Sequence, residues 1–325
     1  MIKCDRVIVW RITQQCNMNC LFCSYAQELV RVRDEADTAE IIRVLEVLRA
    51  YVDQNKQKVL VSWIGGEPFL FKDIFRLSAL CKSYGIEVSA TTNGLLLDTE
   101  EARKNVLEHF SEIVFSLDGF EKCHDRIRQR KGAFAKTSRA ISQLSAQKAI
   151  TGKPLSVQVN TILLRENIDE FRPFCEYLMS LGVNLLTFNQ LGGFDRPEFY
   201  GDNRLLPEQV ESFSQNLPQI KREYAERGLT IYGGALYLER IRSSSQNQKI
   251  PVAECWPGKW FWFINENGFI SPCSYTTYEY RLPTKTIQTI NDIDHAEHVF
   301  RDMRKNRCSH WCGDCHCTQN HDKFS

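Results

Sequence analysis

Six short runs rich in β-branched and aromatic residues recur through the first 190 residues, with helically spaced apolar residues between them. The runs are Val7 to Ile12, Val59 to Ile64, Ile86 to Thr91, Ile113 to Leu117, Ser156 to Leu163 and Asn184 to Phe188, and each reads as a strand. Thr38 to Asp53 sets Ile41, Ile42, Leu45, Leu48 and Val52 at helical spacing behind Asp37 and Thr38, either of which suits a helix cap. Ala133 to Lys148 and Asp169 to Leu181 read the same way. Strand–helix–strand alternation implies parallel pairing with right-handed crossovers. The expected class is α/β, with a curved or open six-unit barrel over residues 1–193.

Beyond Gly193 the pattern changes. A polar connection, a helical stretch from Pro207 to Arg227 and a Ser/Gln-rich break at Ser243 to Gln248 predict a helical connection over residues 194–250. From Trp260 the run WFWFI, the turn Asn265-Glu266-Asn267-Gly268 and FISPC predict a hairpin. A helix around Ile293 to Lys305 then leads into a cysteine-rich tail, completing a third region over 251–325.

A net charge of +1 supplies no global field for nucleic acid or anionic lipid. No apolar run approaches the ~18 residues of a membrane span, and the first residues lack the pattern of a secretory signal. A cytoplasmic protein with neither nucleic-acid nor membrane partner is expected. Thirteen cysteines in such a setting point to metal ligands or reactive groups rather than disulfides.

The most specific motif is CNMNCLFC, which places Cys16, Cys20 and Cys23 just after the first strand. Three thiolates on one loop suit a cubane of four irons and leave one iron without a protein ligand. A small molecule carrying an amine and a carboxylate could chelate that iron. The competing assignment is a structural zinc or iron–sulfur site completed by a distant fourth cysteine. Glycine-bearing turns follow the next strands: Gly65-Gly66-Glu67-Pro68, Thr92-Asn93-Gly94 and Ser116-Leu117-Asp118-Gly119. In parallel α/β folds, sites gather at the carboxyl ends of strands, where glycine admits close backbone approach.

With these motifs the chain resembles the radical S-adenosylmethionine (SAM) enzymes. CNMNCLFC is similar to their CxxxCxxC loop and GGEP to their glycine-rich motif, whose backbone holds the methionyl amine. SLDG followed by His124-Asp125-Arg126-Ile127-Arg128 resembles the subgroup of sulfatase maturases and peptide-modifying enzymes. The resemblance implies a partial (βα)6 barrel, with Ser116 and Asp118 near the ribose, Arg128 on the SAM carboxylate and Phe22 near the adenine. Gly65, Gly66, Glu67, Pro68 and Asn93 complete the implied cofactor site. Ile64 stands where some relatives carry a polar residue. The implied chemistry is reductive cleavage of SAM to a 5′-deoxyadenosyl radical that abstracts hydrogen, with a flavodoxin or ferredoxin as electron donor.

Seven basic residues lie between Lys122 and Arg139. Lys131, Lys136 and Arg139 read as a solvated face, whereas Arg128 carries the planar fork that suits a carboxylate. Asn160, Asn189 and Gln190, near the last two strand ends, read either as substrate contacts or as satisfied amides.

The segment from Cys255 through Gly268 to Cys273 resembles the signature of SPASM and twitch auxiliary-cluster domains. That likeness implies one auxiliary [4Fe-4S] cluster in a small hairpin-plus-helix subdomain, held by Cys255, Cys273, Cys312 and Cys315, with Cys308 and Cys317 as alternates. A zinc knuckle using His310 or His316 is the rival assignment. Cys4, Cys81, Cys123 and Cys175 read as core residues or unreactive thiols. The expected function is a radical SAM oxidoreductase or isomerase acting on a ribosomally made peptide. Against a peptide stands the absence of a recognisable leader-binding segment ahead of the first strand. The alternatives are a sugar, aminoglycoside or other small metabolite, and a non-catalytic iron–sulfur or zinc protein that binds nucleic acid.

Overall fold

Strand β1 (Arg6–Thr13) pairs in parallel with β2 (Val59–Gly65) on one side, and the sheet grows outward from this pair. The structure, a computed structural model, describes residues 4–23, 34–192, 196–252, 255 and 258–316. From β2 the parallel order continues through β3 (Glu87–Thr92), β4 (Glu112–Ser116), β5 (Ser156–Leu163), β6 (Leu185–Gln190) and a short β7 (Thr230–Ile231). The sequence reading did not anticipate β7.

Helices α1 (Thr38–Asn55), α2 (Ile74–Ser83), α3 (Glu100–His109), α4 (Glu121–Arg128), α5 (Ala133–Thr151) and α6 (Phe171–Ser180) fill the crossovers. Asp37, not Thr38, caps α1, its carboxylate accepting the Ala39 and Glu40 N–H groups at 2.7 and 3.0 Å. Thr38 instead donates its hydroxyl to Asp73 at 2.9 Å. The helix expected from Asp169 starts at Phe171, because Ile168–Glu170 forms a 3-10 turn first.

The polar connection contains α7 (Pro197–Asn203), followed by α8 (Pro207–Glu226) and α9 (Ala235–Ser245). The break expected at Ser243 comes only after Ser245. Ser244 is buried against the Tyr200 hydroxyl at 3.2 Å, and Ser245 turns its hydroxyl back on the Arg242 carbonyl at 2.7 Å. These serines satisfy themselves inside the helix, so composition misjudged its end.

Side chains alternate across a strand, and here the two parities differ in chemistry. Ile8, Trp10, Val61, Trp63, Val88, Ile113, Phe115, Val157, Leu186 and Phe188 pack in one apolar cluster with Ile41, Val44, Leu45 and Leu48 of α1. The opposite parity presents Arg11, Ser62, Ser89, Ser116, Gln158, Asn160 and Thr187. Parallel sheets ordinarily bury apolar side chains on both faces. The second face of this sheet is mixed, its polar side chains standing among Val7, Leu60, Val114 and Leu185.

On its other side β1 pairs in parallel with β8 (Phe261–Ile264), which turns into β9 (Phe269–Ser271) and meets β10 (Leu282–Pro283). The hairpin therefore extends the barrel sheet, giving one continuous order β10-β9-β8-β1-β2-β3-β4-β5-β6-β7. Gly268 closes the turn at φ 71°, and the Asn265 side chain accepts the Asn267 and Phe269 N–H groups. Glu266 of this turn forms a buried ion pair with Arg11 of β1, Nη2 lying 3.0 Å from Oε1, and Gln14 donates to the same carboxylate. Helix α10 (Ile290–Asn306) follows, capped by Thr289 and Asp292. Among the described residues no helix is long and apolar enough to cross a membrane.

The Arg11–Glu266 pair is sealed, with 4% and 1% of the side chains exposed. Glu266→Ala would remove the carboxylate facing a buried guanidinium and should cost about 3–5 kcal/mol in denaturant unfolding. Glu223→Ala, which removes the partner of half-exposed Arg172, should leave the unfolding midpoint nearly unchanged.

Candidate functional site

The loop leaving β1 rests directly on the end of β2. The Gly66 N–H donates to the Thr13 carbonyl at 2.9 Å and the Glu67 N–H to the Gln15 carbonyl at 2.7 Å. A Cβ on Gly65 would lie 2.5 Å from the Thr13 oxygen, and one on Gly66 would lie 2.3 Å from the Gln15 oxygen and 2.7 Å from Cys16 Cβ. Both positions need glycine because backbone passes over backbone.

Three further contacts fix the same loop. Asn93 Nδ2 donates to Asn17 Oδ1 at 2.7 Å, Arg130 Nη1 to the Asn17 carbonyl at 3.0 Å, and the Leu21 N–H to the Ile127 carbonyl at 2.8 Å. Asn17 and Arg130 were not singled out from the sequence. Neither is given a role by a motif, since their role depends on what the fold sets opposite them.

The result is a cavity of about 250 Å³ at the carboxyl ends of β1 to β4, lined by Cys16, Cys20 and Cys23 together with Phe22, Ile64, Gly65, Gly66, Asn93, Ser116 and Arg128. Gln14, Met18, Thr91 and Thr92 complete the wall. Burial pushes the Cys16 thiol up to about 11 and raises that of Cys20, where the Arg128 charge works in the opposite direction.

Glu67, Pro68 and Asp118 lie outside this lining. The buried Glu67 carboxylate accepts the Thr92 hydroxyl at 2.7 Å and the Asn93 and Phe69 N–H groups at 2.8 and 3.2 Å, tying the end of β2 to the end of β3. Burial outweighs those bonds and lifts it to about 7. A carboxyl raised in the folded state stabilises most below its ordinary value, and that contribution fades as pH rises towards 7.

Asp118 is fully buried. Its Oδ1 accepts the Ile162 N–H at 2.9 Å, its Oδ2 takes Arg128 Nε at 2.7 Å, and its own N–H donates to His124 Nδ1 at 3.1 Å. Arg128 Nη1 also stands 3.8 Å from Cys20 Sγ, and the guanidinium lies 5.0 Å from the Phe22 ring centre. Burial works against the Arg128 charge, but Asp118 and Cys20 outweigh it and hold the proton. Lys131, Lys136 and Arg139 are exposed. Asn160 Oδ1 accepts from the Thr187 hydroxyl and Asn189 Nδ2, both at 2.9 Å, on the polar face beside Ser116. Gln190 is buried.

The tail folds back on residues 250–252. The Val252 N–H donates to the Cys312 carbonyl, the Cys315 N–H to the Ile250 carbonyl and the Ile250 N–H to Asp314 Oδ1. Arg304 donates to the Cys255 and Val252 carbonyls, and Arg240 to those of Ile250 and Cys315. Burial pushes the Cys273 thiol up to about 12, with Cys255 and Cys315 adding to the shift, and Cys255 and Cys315 also act on Cys312. Cys308 acts on Cys312 as well. Cys308 is exposed, His310 faces Glu279 and His316 faces Asp314. Cys317 lies outside the described residues. Cys81, Cys123 and Cys175 are buried, while Cys4 is half-buried. Among the described residues no three His, Cys, Asp or Glu side chains close on a single metal ion.

The sequence model of the radical SAM superfamily matches residues 10–178, just over half of the 325. The chain belongs to that superfamily. With it come the family's cofactors, a [4Fe-4S] cluster and SAM. A Fe-coproporphyrin III synthase of Methanosarcina barkeri is 32% identical over 135 residues, covering 42% of this chain and 33% of that protein. An AdoMet-dependent heme synthase of the same organism is 26% identical over 317 residues, covering 94% and 86%. The sporulation killing factor maturation protein SkfB of Bacillus subtilis is 24% identical over 265 residues, covering 81% and 58%. The chain therefore spans about a third of the first of these relatives and somewhat over half of the third. In fold it superposes on Streptococcus suis SuiB bound to S-adenosylmethionine with a TM-score of 0.68 at 15% identity, covering 94% of this chain and 69% of that one.

Gly66→Ala should force the loop carrying the three cysteines off the end of β2, since the obstacles are backbone atoms. A lowered thermal midpoint, with little loss for alanine at exposed Gly201, where nothing lies within 4 Å, is the expected result.

Proposed function

We propose that this chain reductively cleaves SAM and takes a hydrogen atom from an unactivated C–H bond of a ribosomally made peptide. The observation that carries the reading is the cavity at the ends of β1 to β4, which gathers three loop thiols, two obligatory glycines, Ser116 and Arg128 around one space. Three thiols fit a four-iron cluster with one open iron, and the donor set is all sulfur, as such clusters require. When bound, the cluster and SAM supply an electron and a 5′-deoxyadenosyl radical.

The chain's own residues bind, orient and exclude. Cys16, Cys20 and Cys23 would hold three irons, and the Gly65-Gly66 backbone would approach the methionyl end. Ser116 would face the ribose, and the outer edge of the Arg128 fork would face the carboxylate. Glu67 and Asp118 act from behind the cavity wall: Glu67 locks β2 to β3, and Asp118 holds Arg128. Phe22 and Met18 keep part of the space apolar, which helps exclude water.

The polar face supports the peptide assignment. Asn160, Thr187 and Asn189 present amide and hydroxyl groups in a row, the chemistry that pairs with peptide backbone. SkfB is named a maturation protein, and SuiB has also been solved bound to its precursor peptide SuiA. A second reading, a tetrapyrrole, rests on the long two-way match to the heme synthase. A peptide that raises 5′-deoxyadenosine output above the uncoupled rate supports the first reading; a porphyrin that alone does so replaces it.

After anaerobic reconstitution and reduction, Cys16→Ala, Cys20→Ala and Cys23→Ala should each abolish 5′-deoxyadenosine formation, and full activity in any of them would sink the assignment. For the tail we propose one auxiliary [4Fe-4S] cluster on Cys255, Cys273, Cys312 and Cys315. The triple variant of the first loop should then keep about four irons per chain, which Cys255→Ala with Cys273→Ala removes. Stoichiometric zinc in place of iron would overturn it.

A further inference from the structure

His124 belongs to none of the roles assigned above, yet it is fully buried one turn before Arg128 on α4. Its Nδ1 accepts the Asp118 N–H at 3.1 Å, which puts the ring proton on Nε2, and Nε2 finds no partner among the described residues. A buried N–H without an acceptor is unfavourable, and an apolar side chain would fill the same space without that penalty. What His124 offers that a phenylalanine could not is the acceptor at Nδ1. The ring stays neutral, since burial and then the Arg128 charge push it down to about 4.

The bonds run in a line from this acceptor to the iron-binding loop. His124 holds the Asp118 backbone, the Asp118 carboxylate holds Arg128 Nε, and Arg128 Nη1 stands 3.8 Å from Cys20 Sγ. The Ile162 N–H fixes the other carboxylate oxygen, and the Phe22 ring backs the guanidinium. We propose that His124 is a positioning residue which, through Asp118, sets the Arg128 guanidinium against the sulfur of Cys20 and so raises the reduction potential of the cluster. A positive charge beside one thiolate stabilises the reduced cluster, which carries one more electron, relative to the oxidised one. This role is separate from the carboxylate contact proposed for Arg128, because it operates before SAM binds. It rests on the reading that Cys20 ligates iron.

The test is an EPR-monitored redox titration of the reconstituted chain without SAM, following the signal that later changes on adding SAM and so belongs to this cluster rather than to the tail. Arg128→Gln should lower the midpoint potential, the ratio of reduced to oxidised cluster at the parent's midpoint falling roughly tenfold, with iron content unchanged. If Arg128→Gln cannot hold iron, Arg128→Lys, which keeps the charge but cannot serve Asp118 and Cys20 together, should shift the potential in the same direction and less. His124→Phe should also lower the potential, and His124→Asn, whose side-chain oxygen can accept the Asp118 N–H, should restore most of it. An unshifted potential in the Arg128 variants overturns the proposal. A shift in Arg128 variants with none in His124→Phe, or equal shifts in His124→Phe and His124→Asn, removes His124 from it. Loss of the SAM-responsive signal in every protein, the parent included, would instead overturn the cluster reading itself.

Discussion

Backbone lying on backbone at the exits of β1 and β2 is the constraint from which the rest of this molecule follows. Thr13 and Gln15 carbonyls sit on Gly66 and Glu67 N–H groups, and no side chain fits between them. This contact sets the height of the cysteine loop above the sheet. It also dictates where Asn93, Arg130 and Ile127 must stand to hold that loop's far side. Glu67 then serves as the peg beneath, joining β2 to β3 through a carboxylate that never reaches the cavity.

The sheet's outer parity is apolar and its inner parity is mixed, so polar side chains can stand inside a packed body. The outer parity buries against α1, α2, α3, α5 and α6 and supplies the hydrophobic stabilisation. The inner parity carries Ser62, Ser89, Ser116, Asn160 and Thr187 among buried Val7, Leu60, Val114 and Leu185. Some of these are joined across neighbouring strands, as in the Ser62–Ser89 contact at 3.3 Å. Such cross-strand bonds satisfy polar groups without recruiting apolar bulk. They leave the inner face available for a ligand.

The hairpin at the other edge is tied to the same strand that launches the cysteine loop. Arg11 belongs to β1 and Glu266 to the hairpin turn, and Gln14, at the start of the loop, donates to the same carboxylate. Any displacement of the hairpin is therefore felt at the cavity wall. Arg304 and Arg240 hold the tail in place by donating to the carbonyls of Ile250, Val252, Cys255 and Cys315.

Periodicity alone set the parallel α/β order and the six principal strands. The spacing of Cys16, Cys20 and Cys23 marked the centre of the site, and the glycines of GGEP were visible because a backbone approach leaves glycine as its trace. Local chemistry could not tell which of Asp37 and Thr38 would cap α1, nor that Ser243 to Ser245 would stay helical, because both depend on partners distant in sequence, Asp73 and Tyr200. It could not separate residues that face the cavity from those that support them. Glu67 and Asp118 stand in motifs beside cavity residues, and only the fold turned their carboxylates away to backbone N–H groups and to Arg128. Asn17 and His124 lie inside quoted motifs and Arg130 just beyond one, but none was given a role by its motif. Their work is defined by atoms up to about a hundred residues away, so tertiary structure alone decided it.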